Sequence, residues 1–140
     1  MVSLTLFLID AGVAMNGYAS DITRTYAFDS GSDFAALIEA MDAAQQQLVA
    51  SGGIGKSPVD LHVLSHLKIA EILRQFDVLN VSAEEAFDND ITGNFYPHGL
   101  GHHLGCNVHD KGGNLANAQG DLLPAPEKYP KLRAAAPMVA

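Results

Sequence analysis

A mixed α+β fold, an antiparallel hairpin followed by helices, is predicted by three features of the sequence. Asn16-Gly17 sits between two strand-like runs, and two long stretches of helical periodicity each follow a capping serine. After them, glycines and histidines crowd into a segment that no regular helix accommodates. Strands, then helices, then further strand-like segments suit an α+β layer arrangement.

Each element has its own signals. Leu4 to Ile9 is a short apolar run bounded by Asp10 and Gly12, which suits a strand covered on both faces. Asn16 and Gly17 both tolerate positive φ, so they are read as a two-residue hairpin turn. The returning strand, Tyr18 to Phe28, is rich in Thr, Tyr and Ile. Ser32 caps a helix from Asp33 to about Ala50, with an apolar stripe of Phe34, Leu37, Ile38, Met41 and Leu48, and Gly52-Gly53 stops it. Ser57 caps a second helix that has Pro58 at its first position and Asp60 at its third. That helix is expected to bury Leu61, Leu64, Ile69, Ile72, Leu73 and Phe76 and to end near Asp77. Ser82 and Glu85 form a capping box for a short third helix. The segment from Thr92 to Gly113 follows, then a loop with Pro124, Pro126 and Pro130, and a tail of small residues.

Composition narrows the function classes. At 140 residues, 48% apolar and 17% charged, the chain is read as one globular domain with a core of its own. A net charge of −8 argues against binding a nucleic-acid backbone and favours attraction of cations. Cys106 is the single cysteine, so no internal disulfide is possible, as suits a reducing compartment. The apolar N-terminus, Met1 to Ile9, lacks a basic start and meets a charge at Asp10, too early for a membrane span. A soluble cytoplasmic protein is the expectation.

Two groups of residues carry chemistry. If Asn16-Gly17 is a two-residue turn, Met15 faces Tyr18 and Asp10 faces Thr23, so Asp21 is the diagonal neighbour of Asp10 on one face. Diagonal Cα atoms lie about 7–8 Å apart, close enough for two carboxylates to converge on one cation. A bulge near Gly12 or Ala19 would break that register, and both aspartates would then face water as edge residues. The second group is His98, His102, His103 and His109, in a segment reading Phe95-Tyr96-Pro97-His98-Gly99-Leu100-Gly101-His102-His103-Leu104-Gly105. His98 and His102 have the i,i+4 spacing of a helical zinc pair, but Pro97, Gly99, Gly101 and Gly105 make that spacing a coincidence. Imidazoles on a glycine-rich backbone suit metal binding, hydrogen bonding or proton transfer. His103 is the one of the four assigned a packing role. His62 and His66, i,i+4 on the second helix, are read as ordinary helix-surface residues.

Together these regions resemble the pita-bread metallopeptidases, most closely the bacterial Xaa-Pro dipeptidases among them. The likeness runs through Phe7-Leu8-Ile9-Asp10-Ala11-Gly12 and Asn16-Gly17-Tyr18-Ala19-Ser20-Asp21-Ile22-Thr23-Arg24-Thr25-Tyr26. It resumes at Phe95 to Gly105 and continues through Val108-His109-Asp110, so it spans residues up to about Arg133, with 134–140 a divergent tail. The resemblance implies that the chain is part of a pita-bread catalytic domain. Asp10 would bind one metal, Asp21 would bridge two, and His102 would be a ligand. His98 and His109 would bind substrate and stabilise the reacting centre. The implied cofactor is a pair of divalent ions, most often manganese, holding a hydroxide that attacks the carbonyl before proline. Dipeptides with C-terminal proline are the implied substrates.

The family pattern also has two later glutamates, and none of Glu39, Glu71, Glu84, Glu85 and Glu127 stands in a matching context. Three ligands can hold an ion, but a site short of two carboxylates is expected to be weak or inactive. Missing strands would leave an open sheet edge, which favours aggregation or pairing with a second copy as a homo-oligomer. A non-catalytic relative binding a metal or a protein partner, and a truncated gene product, are the alternative readings.

Overall fold

The computed structural model describes residues 5–110, 112–136 and 138. Leu4, at the start of the expected first strand, and Lys111, Pro137 and residues 139–140 lie outside them. Strand β1 (Leu6–Ala11) pairs antiparallel with β4 (Ile22–Ala27), and the short strands β2 (Ala14–Met15) and β3 (Tyr18–Ala19) form the hairpin tip. Asn16 and Gly17 turn the chain with φ of 53° and 86°, the left-handed values a tight two-residue hairpin turn requires. Met15 faces Tyr18 and Asp10 faces Thr23, as the turn dictates. The ladder is interrupted between the two strand pairs without a change of register. There Ser20 Oγ accepts from the Val13 amide at 3.0 Å, and the Ser20 amide donates to the Val13 carbonyl at 2.9 Å. Gly12 permits this pinch, since a Cβ there would collide with the Ser20 carbonyl.

Three helices follow, each opened by a serine. In α1 (Asp33–Ser51) the Ser32 hydroxyl accepts from the Ala35 amide at 3.2 Å. In α2 (Pro58–Gln75) Ser57 accepts from Val59 at 3.1 Å, and in α3 (Ala83–Asp88) Ser82 accepts from Glu85 at 3.1 Å. Pro58 and Asp60 at the start of α2 and Arg74 in its last turn match the needs of the helix ends. Helix α1 packs on β4 and α2, and α2 packs on α3. The core between α2 and α3 is built of Ala70, Ala83 and Ala86, flanked by Leu67, Leu79, Val81 and Ile91. Such small residues let the helix axes approach closely.

Three expectations are corrected. Strand β1 is exposed along its whole length, including Phe7, Leu8 and Ile9, because among the described elements it contacts β4 and no other packs on its faces. Helix α2 is rotated relative to its aliphatic stripe. Ile72 and Leu73 are buried, but Leu61, Leu64, Ile69 and Phe76 are only half-buried, while His62, Ser65, His66 and Ala70 are buried. Beyond residue 91 the described chain forms one short 3-10 turn (Thr92–Asn94) and two isolated bridges, His103 with Asp110 and Leu115 with Leu122, in place of further strands. The small-residue tail returns to the α1–α2 connection, where Gly55 donates to the Met138 carbonyl at 2.7 Å.

Candidate metal centre

The hairpin and the histidine segment meet through the backbone. The Ala19 amide donates to the Gly105 carbonyl at 2.8 Å, which brings Asp21 beside His102. Asp21 Oδ2 lies 3.1 Å from His102 Nε2, and the rings of His102 and His109 meet edge to face with centroids 4.2 Å apart. One ligating atom from each of Asp21, His102 and His109 lies within 4.8 Å of the other two.

The donor set fits a cation. His102 Nδ1 lies 3.1 Å from the His103 carbonyl, which can only accept, so Nδ1 carries the proton. In the neutral ring Nε2 is then a lone pair directed at a carboxylate oxygen. Two electron-pair donors facing each other at 3.1 Å require a positive centre, supplied by a second ring proton or by a metal ion. Two ligand atoms each about 2.1 Å from one ion and at right angles would stand roughly 3 Å apart. A backbone carbonyl holding the far ring nitrogen is also the usual means of fixing a ligating imidazole.

Of the residues singled out in the sequence, Asp21, His102 and His109 are brought together, and Asp10 is not among the converging three. Asp10 is exposed on β1, opposite Thr23 of β4. His98 is exposed and lines a cavity of about 440 Å³ with His102, His109, Lys131 and Arg133. His103 is exposed too, with its ring against Gly112 and Gly113. Lys131 and Arg133 were not picked out in the sequence, although they are two cations close together in an acidic chain. Gly99 brings them to the cavity: a Cβ there would run into the Lys131 carbonyl and the Leu132 backbone.

His62 and His66 are not surface residues. They are 4% and 6% exposed, and His66 Nδ1 is 2.9 Å from Thr92 Oγ1. Tyr129 and Tyr96 cover them, with His62–Tyr129 centroids at 4.9 Å and His66–Tyr96 at 5.1 Å. Burial, reinforced by the neighbouring His66, lowers the His62 pKa to about 4. His66 is also lowered by burial, against the opposing pull of Asp90. Burial raises the Tyr96 hydroxyl above its usual range, partly offset by a hydrogen bond with Ser65.

The fold of the chain has counterparts among solved aminopeptidase P structures. An aspartate-to-alanine variant of Escherichia coli aminopeptidase P superposes with a TM-score of 0.71 and 26% identity, over 84% of this chain and 27% of that one. The zinc-substituted enzyme in complex with product gives 0.71 and 27%, over the same shares. A model of metallopeptidase family M24 matches residues 3–134, and the chain belongs to that family. Its mixed α+β architecture is the family's pita-bread fold. Among curated relatives, the Xaa-Pro dipeptidase of Pseudoalteromonas translucida is 51% identical over 127 residues, 91% of this chain and 29% of that protein. The Xaa-Pro dipeptidase of Xanthomonas oryzae pv. oryzae is 50% identical over 130 residues, 93% of this chain and 30% of that protein. The chain thus spans about three-tenths of the length of the curated relatives it matches.

Proposed function

We propose that this chain forms part of the centre of a metal-dependent peptidase that hydrolyses dipeptides with proline second. The observation that carries the reading is His102 Nε2 facing the Asp21 carboxylate at 3.1 Å, beside His109. Similarity to Xaa-Pro dipeptidases at about half identity supports this specificity over that of aminopeptidase P, which resembles the chain at 26%.

Asp21 and His102 would hold the ion, with Asp10 completing the ligands on the hairpin face. Divalent ions, manganese by preference, would polarise the scissile carbonyl and acidify a water molecule. The His103 carbonyl keeps His102 Nδ1 protonated and Nε2 free to ligate. His98 and His109 line the cavity, where their ring N–H groups would donate to the substrate carbonyl oxygen as charge builds on it. Lys131 and Arg133 on the same cavity offer cations to the substrate's terminal carboxylate. In the overall reaction the C–N bond before proline breaks, the carbonyl carbon gains an oxygen from water, and the proline nitrogen gains a proton.

Cytoplasmic residence belongs to the same proposal, and among the described residues no helix is long and apolar enough to cross a membrane. The exposed β1–β4 face would favour assembly with a second copy. The test is Ala-Pro hydrolysis by the intact protein with manganese, beside Asp21→Asn. Turnover that survives this substitution would remove Asp21 from the centre and overturn the reading.

A further inference from the structure

A second cavity, of about 410 Å³, lies against α2, α3 and the 128–132 segment. His62 lines it, and His62 Nδ1 is the buried side-chain polar atom without a hydrogen-bond partner among the described residues. Its neighbour on the helix differs, since His66 Nδ1 is occupied by Thr92. The His62 ring therefore forms part of the cavity wall with its Nδ1 turned away from the open space.

The remaining walls say what kind of ligand. Phe87, Tyr96 and Tyr129 present aromatic surface. Four exposed charges also line the cavity, Asp88 and Asp90 against Lys128 and Lys131. Among the described residues none of the four is in an ion pair with another. Lys128 Nζ sits 4.7 Å from the centre of the Phe87 ring, and Lys131 Nζ donates to the Pro97 carbonyl at 2.9 Å. Two charges of each sign, unpaired with one another around one aromatic cavity, are complementary to a zwitterion with an apolar body.

We propose that this cavity binds a free α-amino acid with an apolar or aromatic side chain. The carboxylate accepts from the Lys128 ammonium, beside the His62 ring in the cavity wall. The ammonium donates to Asp88 or Asp90, and the side chain lies against Phe87 and Tyr129. The cavity shares His98 and Lys131 with the one beside the metal cluster, so its occupant adjoins the proposed catalytic centre. Binding itself stands on this cavity alone and does not require the peptidase reading.

The test is calorimetric titration of the intact, chelator-treated protein with L-phenylalanine, alongside spectra of ¹⁵N-histidine-labelled protein. Saturable binding to one site with a shift of the His62 ring nitrogens is expected. Compounds lacking one charge, 3-phenylpropionate and phenethylamine, should each bind about tenfold more weakly or worse. Lys128→Met should weaken L-phenylalanine about tenfold, and Asp21→Asn should leave it unchanged. Because His62→Phe can disturb the core, Lys128→Met and the wild-type spectra carry the test. Three results overturn the proposal: no saturable binding, equal affinity for 3-phenylpropionate, or binding lost in Asp21→Asn but kept in Lys128→Met. The last places the ligand in the neighbouring cavity.

Discussion

Two pairs of histidines share the same i,i+4 spacing and meet opposite fates. His62 and His66 sit on a true helix, are buried, and lie under aromatic rings. His98 and His102 sit on a glycine-rich loop where the spacing has no helical meaning, and His102 instead meets Asp21 from the hairpin. Spacing identifies neighbours only where the backbone is regular. On the helix it produced an edge-to-face pair whose burial favours the neutral rings. On the loop, a backbone bond from Ala19 to Gly105 did what periodicity could not, and delivered an imidazole to a carboxylate.

The contrast is broken most directly at Asp21. Asp21→Asn in the intact protein should lower turnover by more than the ~10–100-fold typical of losing a group that only supports a metal ligand. Far-UV circular dichroism should stay unchanged, because Asp21 is outside the helices and the core. A large loss of helical signal would mean that Asp21 serves the fold and not the chemistry.

Acid should act on the other pair. The folded-state pKa of His62, about 4, lies below the ordinary value of 6.5, so the unfolded chain binds more protons between those limits. Stability from the neutral pair is therefore complete above about pH 6.5. It declines as the pH falls toward 4, by on the order of 3 kcal/mol for His62. Urea unfolding at pH 7.5 and pH 4.5 measures this, and His62→Phe should flatten the difference if it folds. An unaltered slope in a folded variant would assign the acid sensitivity to other groups.

Smaller effects sharpen the comparison. Gly12→Ala forces a Cβ against the Ser20 carbonyl and should cost about 1–3 kcal/mol, the scale of an overpacked site. It should also reduce metal affinity, since the pinch it opens sets the position of Asp21. Titrating manganese into the variant, with unfolding followed in parallel, separates these outcomes. Ser57→Ala removes the α2 cap and should cost about 1 kcal/mol, leaving metal affinity untouched. An affinity change in Ser57→Ala would show that α2 and the hairpin site are mechanically linked.

Much of the fold was legible because it is local. Asn16-Gly17 sets the hairpin register, and Ser32, Ser57 and Ser82 open helices at the places their side chains specify, since turn and cap energies depend on a few adjacent residues. The same locality set Asp10 opposite Thr23 and marked the histidine segment as irregular. Tertiary structure alone decided the rest. His62 and His66 look like polar residues on a helix surface until Tyr96 and Tyr129, far along the chain, cover them. Lys131 and Arg133 reach the cavity because Gly99 admits their backbone, and His109 joins His102 through the path of a loop. Pattern along a chain reports interactions within a turn or two, whereas burial and convergence depend on which distant segments arrive, and that is set by packing.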